Sequence, residues 1–204
     1  MKTQSSSSAW PSWRNRPGPR KPPSRKTRSL LDLRPSQREF DLESATVTAR
    51  STSNWESTLT ISKGSSSGLE ADDCVVDEYW NLVGIVLEVG ENWARVATVA
   101  DSGLELGGQL ARTGGAAILE GDFALMGEGK LKLSYLPENA ELIAGDLVTT
   151  SGRGGVYPAG LAVGHVEEVH TEASGMTRYA VIVPETDLDG LKQVFVIKEF
   201  TIVE

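Results

Sequence analysis

Residues Ala144 to Val169 read AGDLVTTSGRGGVYPAGLAVGHVEEV. Glycine takes positive φ at little cost and Pro158 cannot donate to a β ladder, so this stretch reads as two short strands joined by a wide turn over Gly152 to Gly160. An earlier stretch carries the same pattern. Ala71-Asp72-Asp73-Cys74-Val75-Val76 followed by Leu82 to Val89 repeats the order of apolar, Gly and Glu positions in Ala144 to Thr149 and Ala162 to Val169. The offset is 73 residues from Asp73 to Asp146 and 80 from Gly84 to Gly164, so the second copy carries a connection seven residues longer. One small β module is present twice.

Outward from this repeat, nearly all of the chain after Phe40 reads as strand. Runs with β-branched residues and partial alternation occur at Thr46–Arg50, Thr58–Ser62, Cys74–Asp77, Leu82–Val89, Trp93–Ala100 and Gly107–Arg112, then at Ala116–Glu120, Lys130–Tyr135, Leu147–Thr150, Ala162–His170, Arg178–Pro184 and Gln193–Thr201. Turn signals such as Lys63-Gly64-Ser65, Asp101-Ser102-Gly103 and Gly114-Gly115 separate them. Short strands without a long helix make an all-β chain. The duplication makes two barrels of about six strands the economical architecture, because closure removes exposed edges. The expected division is a first barrel over residues 42–121 and a second over 122–204, one of which can be discontinuous.

The amino-terminal part follows different rules. Residues 1–28 hold eight Lys or Arg and no acid, leaving 12 basic against 28 acidic side chains in the rest, a net of −16. Four serines at Ser5–Ser8, prolines and Trp10 and Trp13 make this a low-complexity segment, expected to be disordered. Residues 29–41 read as a linker with one helical turn, Ser29 to Leu33, stopped by Pro35. The acidic body lacks the basic stripe that a nucleic-acid surface needs. A single cysteine, Cys74, cannot form an internal disulfide, and no apolar run reaches the ~18 residues of a membrane span. No anchor or export signal is read in this chain.

No constellation for bond-making chemistry emerges. His165 and His170 lie five residues apart in one strand run, which places them on opposite faces of a regular strand and denies them a shared metal unless a bulge intervenes. Twin barrels invite a Ser-His-Asp reading with Ser151 as the nucleophile. Both histidines follow that serine, however, and the context Gly-Asp-Ser-Gly-Gly is missing. Gly152-Arg153-Gly154-Gly155 lacks the Lys and Ser/Thr of a phosphate loop and reads as a turn. Asp72-Asp73 and Glu167-Glu168 read as diverging, solvated pairs, and Cys74 as a buried small hydrophobe. Trp55, Trp80 and Trp93 fall in or beside strands of the first half. Binding is therefore the default role, with no catalytic residue, metal or cofactor expected. Val156, Tyr157, Trp80 and Trp93 are the candidate partner-binding residues. Val156 and Tyr157 are read as a projecting apolar pair, with packing on the neighbouring barrel as the alternative.

Ordered motifs also resemble the extracytoplasmic β region of the bacterial rod-shape-determining MreC family. They are Val47 to Ser65, Val83-Gly84-Ile85-Val86, Asn92-Trp93, Ile118 to Asp122, Leu136-Pro137, Gly145 to Gly152 and Val156 to Gly164. The resemblance covers about residues 30–204. It implies a non-enzymatic scaffold of lateral wall synthesis that maintains cell shape. The implied partners are a class B penicillin-binding transpeptidase, MreD and the MreB-linked machinery, with self-association in the full-length form. The implied place is the cytoplasmic membrane, with both β domains on its outer side. Where that family carries a membrane helix and a dimerising coiled coil, this chain has its Ser/Pro/Arg segment, and Leu30 to Leu33 resembles the last turn of the coiled coil. The expectation is that residues 1–28 reflect a displaced start or frame and that the authentic protein is longer. Two other classes remain beside the scaffold: a protease-like hydrolase on twin barrels and a secreted wall-binding β module.

Overall fold

The computed structural model describes residues 40–52, 56–136, 141–171 and 178–200. The basic segment 1–28, the Ser29–Leu33 turn and Trp55 lie outside them. Among the described residues twelve strands form: β1 Asp41–Thr52, β2 Ser57–Ile61, β3 Cys74–Val76, β4 Leu82–Val89, β5 Ala94–Thr98, β6 Glu105–Leu110, β7 Ala116–Gly121, β8 Leu131–Ser134, β9 Leu147–Thr150, β10 Ala162–Thr171, β11 Arg178–Pro184 and β12 Gln193–Glu199. Among them lie a 3-10 turn at Ser65–Ser67 and a short α-helix, α1 (Phe123–Met126), started by Asp122, whose carboxylate accepts from the backbone of Ala124 and Leu125. Only β1 departs far from its expected start, at Asp41 rather than Thr46. Its first half pairs with β12 and its second half with β2, with a register shift between Val47 and Ala49, so no single alternation runs its length.

Both sheets close. Around the first barrel the order is β1-β12-β3-β4-β5-β2, and around the second it is β10-β11-β8-β7-β6-β9. The strands therefore do not divide at residue 121. Assigning them to barrels in chain order leaves one edge of β1 without a ladder, and β12 fills it, with Ser44 opposite Phe195 and Ala45 opposite Val194. β6 and β7 belong to the second barrel, which is a continuous insertion from Glu105 to Pro184 between β5 and β12 of the first.

The repeat is visible bond by bond. In the first barrel the Asp72 amide donates to the Val86 carbonyl and the Val86 amide to that of Asp73 (2.9 Å each); in the second, Gly145 donates to Val166 (2.7 Å) and Val166 to Asp146 (2.9 Å). Asp73 accepts from the Glu70 amide at 2.8 Å, and Asp146 from the Ile143 amide at 3.1 Å. A bulge follows Val86 in the β4–β5 pair and Val166 in the β10–β11 pair. Around the rings β1 to β5 correspond to β7 to β11, and β12 corresponds to β6. The two units are circular permutants of one ring.

Alternation sorts the side chains of β3. Val75 points into the first barrel with Val83, Val86, Val96, Val194 and Val196. Cys74 and Val76 point outward, yet they are buried, because with Ile85, Ala97 and Ile197 they join the cluster that fills the second barrel. That second cluster includes Leu106, Leu119, Leu131, Leu133, Val148, Val166 and Ile182. One apolar core thus runs from the outside of one barrel to the inside of the other.

Gly84 and Gly164 sit at equivalent close approaches between neighbouring strands. A Cβ on Gly84 would sit 1.8 Å from the Ala97 carbonyl oxygen, and one on Gly164 2.3 Å from that of Val183. Neither contact can be relieved by a side-chain rotation, since both partners are backbone. Gly84→Ala is expected to cost more than about 2 kcal/mol in urea denaturation, whereas Gly127→Ala, which meets nothing within 4 Å, should change stability by less than about 0.5 kcal/mol.

Candidate partner-binding surface

The long connection of the second copy, Ser151 to Gly160, is a built strap. Positive φ at Gly152 (72°), Gly154 (90°), Gly155 (74°) and Gly160 (86°) lets the chain reverse repeatedly. The buried Thr150 hydroxyl closes its base, donating to the Pro158 carbonyl (2.5 Å) and accepting from the Leu161 amide (2.9 Å). The strap carries Tyr157 into the shared cluster, where it is buried. Burial first, then nearby Cys74 and Asp72, push its phenol well above the ordinary tyrosine value. Tyr157 therefore does not project. It packs on the neighbouring barrel, and only Val156 of the pair is exposed.

The tryptophans are held differently. Trp93 ends the β4–β5 turn and folds its ring onto Gly90, where a Cβ would fall 2.2 Å from Nε1. It stays 43% exposed, next to a loop pinned by the Ser65 and Ser66 amides on the carbonyls of Gly90 and Glu91. Trp80 is half-buried, with its ring centroid 5.4 Å from that of Phe40. Other large apolar side chains at the surface are Leu42, Tyr79, Leu87, Phe123, Tyr135 and Ile143. Tyr79 was not singled out from the sequence, because nothing in Glu78-Tyr79-Trp80 separates a presented side chain from a packed one.

The candidates for chemistry do not converge. Ser151 Oγ accepts from the Arg153 amide at 3.3 Å, and His165 is registered with Leu147, four residues before that serine. The bulge after Val166 overturns the expectation of opposite histidine faces. His165 pairs with Val183 and His170 with Tyr179, an even spacing on β11, so both rings lie on the outer face, roughly 13 Å apart at ~3.3 Å per residue. Each meets a glutamate: His165 Nδ1 lies 3.2 Å from Glu185, and His170 Nε2 lies 3.1 Å from Glu168. Among the described residues no group of three or more His, Cys, Asp or Glu is placed to hold a metal. Cys74 is fully buried, which pushes its thiol up and keeps it protonated.

One of the acidic pairs is also corrected. Asp72 is exposed in a left-handed conformation, but Asp73 is buried; Glu167 and Glu168 are both exposed, in line with the expectation, with Glu167 meeting Lys130 at 2.9 Å. Burial raises the Asp73 carboxyl above the ordinary aspartate value despite the Glu70 amide, which lowers it. Asp146 takes a two-pronged contact from Arg112 at 2.8 Å for each nitrogen, tying the β8–β9 loop to the β6–β7 turn.

The class defined by these features is a duplicated twin-barrel β protein whose barrels share one core and whose differences are concentrated in surface connections. This chain belongs to the MreC family: the family described as rod shape-determining protein MreC, barrel core, matches residues 47–198. The cell shape-determining protein MreC of Bacillus subtilis is 31% identical over 160 residues, covering 75% of this chain and 55% of that protein. The crystal structure of MreC from Pseudomonas aeruginosa superposes with a TM-score of 0.71 at 26% identity, covering 77% of this chain and 99% of the other. The fold also matches, at 16% identity and a TM-score of 0.59, MreC from Helicobacter pylori in a complex with the penicillin-binding protein PBP2, covering 79% of this chain and all of that one. The chain spans just over half the length of the Bacillus relative it matches. No helix among the described residues is long and apolar enough to cross a membrane.

Two predictions separate core from surface. Tyr157→Ser should destabilise by about 3–5 kcal/mol, and Val156→Ser by less than about 0.5 kcal/mol, in chemical denaturation. For Asp73 the folded-state pKa is raised, so the native state binds more protons than the unfolded one between the ordinary and the raised value, and stability grows as pH falls through that window. Asp73→Asn keeps an acceptor for the Glu70 amide and removes the charge. It should be more stable than the parent at neutral pH, with the advantage shrinking on acidification; urea midpoints measured from neutral pH down to about pH 3 would show the opposite trend if burial did not dominate.

Proposed function

We propose that this chain is the partner-binding β region of a cell-shape scaffold, acting outside the cytoplasmic membrane and without chemistry of its own. Membership of the MreC family across residues 47–198 is the observation that carries this reading. Its partner is a class B penicillin-binding transpeptidase, a reading supported by the Helicobacter pylori protein of the same fold that has been solved with PBP2. MreD, the MreB-linked machinery and further copies of the chain complete the assembly in the full-length protein.

The physical basis is rigidity. A scaffold favours one partner conformation and raises local concentration only if its own surfaces keep fixed positions. A core that runs through both barrels supplies that, and so do the bonds that fix the two connecting segments to the first barrel, Thr186 Oγ1 to Asp77 (3.3 Å) and the Ser57 amide to Asp101 (2.8 Å), and the bridge between Asn81 and Ala162.

Isothermal titration of the purified chain with the extracytoplasmic part of the class B transpeptidase from the same organism tests the proposal. A saturable one-to-one signal is expected. Absence of binding, or labelling of Ser151 by a fluorophosphonate probe, would overturn it.

A further inference from the structure

The β3–β4 turn, Asp77-Glu78-Tyr79-Trp80-Asn81, is strained and over-determined. Trp80 has a φ of 67°, a left-handed conformation that hairpins of this kind normally give to glycine and that a bulky residue rarely takes. Four donors hold it there by converging on the buried Asp77 carboxylate: the Tyr79 amide (2.8 Å), the Asn81 amide (2.9 Å), Asn81 Nδ2 (2.9 Å) and Thr186 Oγ1 (3.3 Å). The Trp80 ring packs against Phe40 and the shared core, which accounts for its own retention. It does not account for the residue at the tip. Tyr79 stands 64% exposed on a backbone that has almost no freedom.

Two observations say what that tip meets. Its electrostatic neighbours carry one sign: Glu78 beside it and Asp77 behind it both push the Tyr79 phenol above the ordinary tyrosine value. The second barrel provides an internal reference, because the connection between its equivalent strands uses a tyrosine, Tyr157, to tie that barrel to the outside of the first. In the first barrel the same connection is seven residues shorter and offers its tyrosine to solvent.

We infer that the Tyr79 turn is a docking knob for a protein partner whose receiving surface is an apolar notch rimmed by arginine or lysine. This rests on the partner-binding reading above and adds the residue and the chemistry it selects. The ring fills the notch, while a guanidinium or ammonium at the rim lies on the tyrosine face and pairs with Glu78. An acidic rim would repel Glu78, and a dry apolar one would strip it of water without replacement. The fixed turn leaves little order to be gained on binding, which concentrates affinity in this one side chain.

The test is titration of the chain against the transpeptidase extracytoplasmic part at several ionic strengths. Tyr79→Ala is expected to weaken binding about tenfold or more, and Glu78→Gln about threefold with a flatter salt dependence. Glu78→Lys, an exposed substitution outside every core contact, should weaken binding by more than about tenfold while leaving the thermal midpoint in place. Affinities of Tyr79→Ala and Glu78→Lys within twofold of the parent would overturn this inference and leave the partner reading standing. Failure of the unsubstituted chain to bind would overturn both.

Discussion

On the outer face of the first barrel, β3 and the adjoining parts of β4 and β5 carry apolar side chains, and a closed barrel has nothing of its own to cover an outer face with. Cys74, Val76, Ile85 and Ala97 would stand in water if the first barrel were alone. Burying them at ~25 cal/mol per Å² is a term no six-stranded ring of this size can forgo. Insertion of the second barrel between β5 and β12 answers that need. It brings the strap with Tyr157 over the exposed face, and it leaves the first barrel to be completed by the last strand of the chain. Closure of the first ring therefore waits on β12, which follows the whole second ring in the chain and whose ladder with β1 spans about 150 residues.

Duplication of one ring has produced two copies with different duties. The two copies share the aspartate that accepts from an amide three residues before it, the bulge after the central valine, and the glycine pressed against a neighbouring carbonyl. The connection between the third and fourth strands is free of such constraints, and there the copies diverge. One became a glycine-rich strap that binds the molecule to itself. The other became a short turn, held against its own backbone preference, that faces outward.

Much of this was legible in the sequence. The strands were readable because short β-branched runs bounded by glycine have few alternatives, and the repeat because its glycines and aspartates occupy forced backbone positions. The barrel to which each strand belongs was not readable, since ladder closure between β1 and β12 leaves no local mark. Two readings that the sequence left open are decided only in three dimensions. Tyr157 sits in a glycine-rich turn of the kind that usually projects, and only the three-dimensional path of the strap shows it turning inward. The faces of His165 and His170 were assigned from strict alternation, and one inserted residue at a bulge reversed the result. Trp80 was noticed for its size, whereas its φ, which makes the neighbouring Tyr79 meaningful, has no sequence signature.

The central claim is that the two barrels are one cooperative body joined by a common core. Differential scanning calorimetry of the chain tests it most directly. A single transition whose calorimetric and van't Hoff enthalpies agree is the predicted result. Two resolved transitions, with the second barrel unfolding apart from the first, would contradict it.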